Sequence, residues 1–306
     1  MQYNLITILG PTAVGKTGLA AKLAYKFGGE IISADSRQVY KGLDIGTGKD
    51  LADYTIDDVQ VPYHLIDVAT PEDEFNLYQF NKYFYEAHKQ ILTKKKIPFL
   101  VGGTGLFLHS ILKGYKLQEV DFDSARYHEL DALELSQLQD LLLKLNPALH
   151  NSTDLLLKDR VIKAILVAEQ GELEKIEVPK IASLVLGVKM ERDEIKKSIT
   201  KRLKERIANG MIEEVERLKK EGVSLDKMLF WGLEYKYIGM YVEGKLNYND
   251  MFQKLNSSIH QFAKRQMTWF RKMEREGITI HWLNGPDYST ATTLIEKHYF
   301  NNSENC

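Results

Sequence analysis

The chain has 306 residues, of which 44% are hydrophobic, so it is long enough to form one large domain or two ordinary ones around a sizeable core. Its 41 basic and 42 acidic residues nearly cancel, so the overall charge neither favours nor excludes a polyanionic partner. Because the only cysteine is Cys306 and the sequence has neither a signal-peptide pattern nor a bilayer-spanning apolar run, we expect a disulfide-free, cytoplasmic protein without a membrane partner.

Strands and helices alternate through the first part of the chain. Apolar runs predict buried strands at residues 5–9, 31–34, 64–68, 97–101 and 184–190. Helical patterns lie between them, at residues 16–24, 76–95 and 155–170. This alternation predicts an α/β fold in which helices cover both faces of a parallel sheet and ligands bind at the carboxyl ends of the strands.

The other segments are mainly helical in pattern. Residues 127–145 and 192–221 have apolar residues at helical spacing, and we interpret the many charges of 192–221 as a solvated helix face. Residues 252–273 form an amphipathic pattern with five cations that no acidic residue of the segment accompanies, namely Lys254, Lys264, Arg265, Arg271 and Lys272. We therefore expect an α/β core from residues 1–113, 151–191 and 276–290, a helical insertion at 114–150, and a helical region at 192–275.

Residues 10–17, GPTAVGKT, match the P-loop pattern between a predicted strand and a predicted helix. In such a loop, successive backbone N–H groups converge on phosphate oxygens at the N-terminus of a helix, where the helix dipole favours negative charge. Lys16 supplies a positive charge to the terminal phosphates, and the Thr17 hydroxyl is placed to bind Mg²⁺. The pattern alone does not identify the phosphorylated molecule.

Two more loops at strand ends carry candidate chemistry. Asp35 closes the second strand, and on spacing alone its carboxylate could be a general base, a metal ligand or the N-cap of a following helix. Residues 101–105, VGGTG, place the neutral Thr104 where a nucleotide hydrolase would usually carry an acidic residue that helps to hold Mg²⁺. Asp67 could still fill that role, so the missing acid does not by itself exclude an ATPase.

Two basic segments are candidates for anion binding. Arg160 and Lys163 lie three residues apart on a predicted helix, so both could reach one anion, or they could pair with Asp159 or Glu169. Residues 262–272, FAKRQMTWFRK, interleave cations with aromatic residues, a composition that suits phosphate contact combined with base stacking. We favour nucleic-acid binding for this second segment over a purely structural role.

Taken together, five segments closely resemble the tRNA dimethylallyltransferase family. They are GPTAVGKT at 10–17, ADSRQVYKGLDIGTGK at 34–49, YHLIDV at 63–68, LVGGTGLFLHSIL at 100–112 and AKRQMTWFRK at 263–272. The resemblance runs in order from residue 5 to about residue 284, and the second and fourth segments make it highly specific. It implies a P-loop NTPase-like fold with an added helical region, and transfer of a dimethylallyl group to N6 of adenosine 37 of tRNA.

The resemblance also implies roles for individual residues. Asp35 would accept a proton from the adenine amino group, Thr104 would help to fix the adenine ring, and Arg160 would lie near the diphosphate and the RNA. The diphosphate of dimethylallyl diphosphate, with Mg²⁺ at Thr17, would be held by Gly10, Pro11, Thr12, Ala13, Val14, Gly15, Lys16 and Thr17. The tRNA would be contacted by Asp35, Ser36, Arg37, Gln38, Thr104, Arg126, Asp159, Arg160, Lys163, Lys264, Arg265, Gln266 and Arg271.

Two segments depart from the family pattern. Residues 46–50 read GTGKD where many members have GTAKP, which could loosen a loop near the substrate. The resemblance also implies contacts with the anticodon arm at 231–236, but residues 231–235 read WGLEY where many members have a Gly-Tyr pair, which puts those contacts in doubt. The expected partners are dimethylallyl diphosphate and the anticodon stem-loop of tRNA, bound by a monomer.

Two other activities stay open at this point. An isopentenyltransferase that modifies free AMP or ADP would share the P-loop and the acid, but it would have no need of the basic segment at 262–272. An ATP-dependent small-molecule kinase would share the P-loop, and the missing acid after Val101 argues against it.

Overall fold

A six-stranded parallel sheet organises most of the computed structural model, which describes residues 3–117, 119–121, 124–145, 158–169 and 178–300. The strands in chain order are β1 (Leu5–Leu9), β2 (Gly29–Ala34), β3 (Thr55–Ile56), β4 (Val59–Gln60), β5 (Tyr63–His64), β6 (Ile97–Gly102), β7 (Ser183–Lys189) and β8 (Ile280–Asn284). The large sheet has the order β5-β2-β6-β1-β7-β8, and all of its pairs are parallel. Strands β3 and β4 form a separate antiparallel pair.

Twelve α-helices lie in the described part of the chain. They are α1 (Lys16–Phe27), α2 (Leu77–Thr93), α3 (Gly105–Leu112), α4 (Ala125–Asp131), α5 (Leu135–Leu145), α6 (Lys158–Glu169), α7 (Arg192–Ala208), α8 (Met211–Lys220), α9 (Leu225–Trp231), α10 (Leu233–Val242), α11 (Tyr248–Arg275) and α12 (Tyr288–Ile295). None of these described helices combines the length and the apolarity that crossing a bilayer requires.

Helices cover the sheet on both faces, as the apolar strands predict. Successive side chains of a strand point to opposite faces, so Ile6 and Ile8 of β1 pack with α1 and α12, whereas Leu5 and Leu9 pack with α2, α3 and α11. All five residues of β1 are buried. Helices α7 to α11 enclose a further apolar cluster around Trp231.

One predicted strand is shorter in the structure, and two predicted helices are each divided in two. The strand predicted at 64–68 stops at His64 because Leu65 and Asp67 have φ angles of 63° and 56°, which a β-strand does not accommodate. The helix predicted at 192–221 is divided into α7 and α8 by Gly210, with φ 98°. The one predicted at 127–145 is two helices, α4 and α5, because α4 ends in a turn where Leu133 N–H donates to Leu130 C=O at 3.0 Å.

The chain divides into two compact units, 116–178 and the remainder, and the division differs from the predicted domain boundaries. The prediction placed 151–191 in the α/β core. Helix α6 instead packs on α4 and α5, where Val161 and Ile165 share an apolar cluster with Leu138. The predicted helical region at 192–275 belongs to the same compact unit as the sheet.

Candidate functional site

A cavity of about 790 Å³ lies at the carboxyl ends of β1, β2 and β6, in the larger unit. This is the edge of a parallel sheet at which ligands are expected. The cavity gathers most of the predicted site residues, namely Thr12, Ala13, Gly15, Lys16, Thr17, Asp35, Ser36, Arg37, Gln38, Thr104, Arg265 and Gln266. Segments far apart in the sequence therefore form one site.

The loop between β1 and α1 is built to receive an anion. Gly15 has φ 76° and occupies the N-cap position of α1, where no side chain satisfies the first N–H groups and no acidic residue stands in the first turn. Burial, together with repulsion from Arg202 and Arg206, lowers the pKa of Lys16 to about 8, although Asp35 acts in the opposite direction. A bound anion would relieve both the uncapped helix end and the repulsion between cations.

Gly10, Pro11 and Val14 were predicted to hold the diphosphate, but they do not line the cavity. They are the buried residues of the loop, and a Cβ atom on Gly10 would lie 2.6 Å from the Val188 carbonyl oxygen of β7. Close packing on β7 is thus the reason for a glycine at position 10.

The Asp35 carboxylate faces the cavity at the end of β2. Its Oδ1 accepts a hydrogen bond from Arg37 N–H at 2.9 Å, which forms a local turn. Residues 36–39 form turns, so Asp35 does not cap a helix and that alternative is wrong. Among the residues that the structure describes, Oδ2 has no hydrogen-bond partner, so one oxygen is available to accept a proton.

Thr104 ties two strand ends together beside Asp35. Its hydroxyl oxygen accepts a hydrogen bond from Ser36 N–H at 3.1 Å, and its N–H donates to the Ala34 carbonyl at 3.2 Å. Asp67, the other candidate for an acidic residue at this edge, forms an ion pair with the buried Lys49 and does not line the cavity. The carboxyl end of β6 thus carries a hydroxyl in place of an acid.

Helix α11 packs directly on the glycines around Thr104. A Cβ atom on Gly103 would lie 2.3 Å from Gln266 Nε2, and one on Gly105 would lie 2.4 Å from Trp269 Cγ. The buried Gln266 accepts from Thr12 N–H at 2.8 Å and donates to the Gly103 carbonyl at 2.9 Å. Gln266 was predicted to contact tRNA, but here its amide links α11 to two loops of the site.

Helix α11 is only partly as predicted. Phe270 is buried in the core, whereas Phe262 is 39% exposed and lines the cavity with Arg265, whose guanidinium lies 5.8 Å from the Phe262 ring centre. Lys264 and Arg271 are exposed and do not line the cavity. Just beyond the segment that carries the five cations, Glu276 lies 3.8 Å from Lys272.

Helix α7 contributes residues that the sequence interpretation missed. Arg202 donates a hydrogen bond to the Thr12 hydroxyl, and Arg206 forms a 2.9 Å ion pair with Asp50. The interpretation of this segment as a solvated face is wrong for one stripe, which lines the cavity through Ser198, Lys201, Arg202, Glu205 and Arg206. Their i, i+3, i+4, i+7, i+8 spacing places them on one helix face, but a face exposed to water has the same spacing, so the sequence alone does not identify them.

Three acidic residues near these arginines also line the cavity and were not predicted as site residues: Asp50, Asp53 and Glu234. Burial raises the pKa of Glu234, and burial together with Asp50 raises the pKa of Asp53. Burial and repulsion from Arg206 lower the pKa of Arg202 to about 10. Mixed charge of this kind at a cavity marks a candidate functional site.

The unusual GTGKD segment is held firmly, not loosened. Gly48 has φ 70°, and a Cβ atom there would lie 2.0 Å from Arg206 Nη2, so the glycine leaves room for the same arginine that pairs with Asp50. The carboxylate of Glu214 accepts hydrogen bonds from the N–H groups of Asp44, Ile45 and Gly46 at 2.9–3.1 Å.

In the second unusual segment, Trp231 and Tyr235 are each 1% exposed, so these two side chains offer almost no surface to RNA. The Tyr235 hydroxyl donates to Glu214 at 2.6 Å. Trp231 lines the cavity, as do Gly232, Leu233, Glu234 and Lys236. The doubt about RNA contacts at 231–236 therefore applies to the two aromatic positions.

Four predicted RNA contacts lie in the smaller unit, which is described by itself. Arg126 donates hydrogen bonds to Glu129 and Glu169, and Lys163 lies 3.3 Å from the Asp159 carboxylate. The pairing of Lys163 with Asp159 is one of the alternatives that the sequence left open. Arg160 is exposed, and its role toward diphosphate and RNA stays a prediction, as do those of Arg126, Asp159 and Lys163.

Comparison with known proteins places this chain in a family. Residues 38–273 match the family described as IPP transferase, and residues 3–58 match that described as isopentenyl transferase. The chain is 51% identical over 291 residues to tRNA dimethylallyltransferase 2 of Citrifermentans bemidjiense, covering 95% of this chain and 94% of the relative. It is 48% identical over 286 residues to tRNA dimethylallyltransferase 1 of Geotalea uraniireducens, covering 93% and 94%.

A solved structure supports the same placement. The tRNA isopentenylpyrophosphate transferase from Bacillus halodurans superposes with a TM-score of 0.69 at 30% identity, covering 99% of this chain and 97% of that one. The predicted P-loop NTPase-like fold is confirmed by this similarity and by the parallel sheet.

Proposed function

Because the chain belongs to the tRNA dimethylallyltransferase family, we propose that it transfers a dimethylallyl group from dimethylallyl diphosphate to N6 of adenosine 37 in tRNA, releasing diphosphate. One observation carries the proposal: an uncapped helix N-terminus with Lys16 and a carboxylate with a free oxygen, Asp35, face the same cavity. The first suits a leaving diphosphate and the second suits an attacking amine.

The P-loop would bind the diphosphate group. In the reaction the allylic C–O bond breaks, its electron pair goes to the diphosphate oxygen, and negative charge builds up there. The N–H groups at the start of α1, the Lys16 ammonium and the Arg202 guanidinium are positioned to offset that charge. Because these donors are fixed in place before the substrate arrives, they need little rearrangement as the bond breaks.

Asp35 would act at the other side of the reacting carbon. The N6 lone pair attacks the allylic carbon while a proton leaves N6 for the carboxylate, so charge does not accumulate on the adenine. Thr104 holds the backbone of Ser36 beside Asp35 and thereby steadies this end of the cavity. An adenine stacked in an anticodon loop could not reach such a cavity, so the reaction requires the nucleotide to flip out.

The residues present fit a Mg²⁺ ion that is held mainly by substrate. Thr17 lines the cavity, and among the described residues no group of three His, Cys, Asp or Glu side chains could hold a metal. Mg²⁺ is often bound by one or two protein oxygens together with phosphates and water. Thr17 would thus be its protein ligand, and the ion would neutralise part of the diphosphate charge.

A free nucleotide is the main competing acceptor. Phe262 and Arg265 of α11, at the cavity, offer a surface for bases and phosphates that a mononucleotide would not need. Their presence favours a polynucleotide, and we place the anticodon stem-loop there with one copy of the chain per tRNA.

A paired acceptor assay tests the proposal. Purified protein is given Mg²⁺ and dimethylallyl diphosphate with either AMP or a tRNA that has adenosine at position 37, and products are identified by mass spectrometry. We expect modified tRNA and unmodified AMP, and light scattering should report one chain per tRNA. Prenylated AMP with unmodified tRNA would overturn the acceptor assignment.

Asp35→Asn tests the assigned base. The amide oxygen can still accept from Arg37 N–H, so the turn persists, but the amide cannot take a proton. We expect unchanged tRNA binding and a fall in kcat of roughly 10²–10⁴-fold. Asp58→Asn, in an exposed turn away from the cavity, is the control. Wild-type kcat in Asp35→Asn would remove Asp35 from the mechanism.

A further inference from the structure

The outward face of α7 carries a concentration of positive charge that the proposed chemistry does not use. The helix contains seven basic and three acidic residues. Lys197, Lys201 and Lys204 are exposed and stand at i, i+4 and i+7, so they lie along one face of the helix. With Lys196 and Thr200 they line a shallow depression of about 480 Å³. We call Lys197, Lys201 and Lys204 the α7 lysine patch.

Most of this charge is not neutralised by neighbouring carboxylates. Asp193 pairs with Lys196 at 2.9 Å, and Glu205 approaches Lys201 only to 3.8 Å. Lys197 and Lys204 have no carboxylate within 4.0 Å in the part of the chain that the structure describes. Exposed like charges on one helix face repel each other and therefore destabilise the free protein. A bound anionic partner would remove this repulsion.

The patch is continuous with the substrate cavity. Lys201 lines both the depression and the cavity, so positive charge runs without interruption from the cavity wall onto the surface of α7. Helix α7 also packs against α11, where the Thr200 hydroxyl donates to Asn256 Oδ1 at 3.1 Å. Arg265 of α11 lines the same cavity. Cations from both helices therefore border it.

From this placement we infer that the α7 lysine patch binds phosphates of the tRNA strand adjoining the nucleotide that enters the cavity. The inference rests on the proposed function, since it needs a flipped nucleotide in the cavity. Phosphates next to that nucleotide must lie outside the cavity, and the patch continues outward from its wall. Lys197 and Lys204 are about 10 Å apart along the helix axis, enough to contact more than one phosphate.

The test uses the double variant Lys197→Ala/Lys204→Ala, which leaves the cavity-lining Lys201 intact. Its matched control is Lys82→Ala/Lys89→Ala, which removes two exposed lysines at the same i, i+7 spacing from α2, a helix that contributes nothing to the cavity. For each protein, the Kd for tRNA is measured across a series of salt concentrations. Binding of dimethylallyl diphosphate and kcat at saturating tRNA are measured alongside.

Removal of two phosphate contacts should reduce the slope of log K against log salt by about 1.4–1.8 and weaken tRNA binding roughly tenfold at moderate salt. Binding of dimethylallyl diphosphate and kcat should be unchanged, and the α2 control should bind tRNA like the wild type. A wild-type slope in the α7 variant, or an equal change in the control, would overturn the inference. Failure of the wild-type protein to modify tRNA would instead contradict the proposed function.

Discussion

Substitution of Glu214 should destabilise the protein far more than its position outside the cavity suggests. The carboxylate is 8% exposed and accepts four hydrogen bonds, three from N–H groups of residues 44–46 and one from the Tyr235 hydroxyl. In Glu214→Ala these four donors lose their common acceptor. Each buried donor without a partner costs about 1–3 kcal/mol, and water entering the vacated space would recover part of that.

We therefore expect Glu214→Ala to lower the free energy of unfolding by about 3–5 kcal/mol, the range found when one member of a buried interaction that involves a charged group is removed. At about 2 °C per kcal/mol for a chain of this size, Tm should fall by roughly 6–10 °C. Thermal unfolding followed by circular dichroism measures this. Glu213→Ala is the matched control, because Glu213 is the exposed neighbour on the same helix and should change stability by less than about 0.5 kcal/mol.

The same variant should release the loop that lines the cavity. Amide hydrogen exchange at residues 44–46 should accelerate in Glu214→Ala and stay at the wild-type rate in Glu213→Ala. Gly46 and Gly48 line the cavity, and Gln38 Nε2 donates to the Gly48 carbonyl at 2.9 Å, so tRNA affinity should fall as well. A Tm within about 2 °C of the wild type, with unchanged exchange, would refute the reasoning.

Three further predictions concern the walls of the site. The pKa of Lys16 is about 8 in the folded protein and 10.5 in the unfolded chain, so the unfolded chain binds more protons between these pH values and the free energy of unfolding without ligand should rise with pH there. Diphosphate affinity should fall above pH 8, because Lys16 loses its charge. Unfolding and calorimetry measured across this pH range should show both trends in the wild type and neither in Lys16→Met. Gly105→Ala should cost several kcal/mol because the new Cβ meets the rigid start of the Trp269 side chain. Gly103→Ala should cost less, because its Cβ meets the end of the Gln266 side chain and, at 3.2 Å, the Gly10 carbonyl oxygen; equal Tm values would contradict this. Gln266→Leu should lower the free energy of unfolding by about 1–3 kcal/mol, since a buried N–H and C=O lose their partner, and an unchanged urea midpoint would speak against that role.

The sequence by itself determined the features that depend on neighbouring residues. The phosphate loop at 10–17 could be predicted because its glycine, its lysine and the helix that follows are contiguous, so local backbone preferences suffice to form it. The buried strands could be predicted for the same reason, since an apolar run covered on both faces needs no particular partner. The placement of Asp35 beside the loop followed from the rule that carboxyl ends of parallel strands share one edge.

Tertiary structure decided which distant side chains complete the site. Glu214 reaches the loop at residue 46 across 168 positions, and Gln266 reaches Thr12 across 254. Arg202 looked like part of a solvated helix face because a charged side chain has the same helical period whether it meets water or a cavity wall. Hydrogen bonds of this kind depend on how helices dock on the sheet, and no local pattern in the sequence encodes that docking.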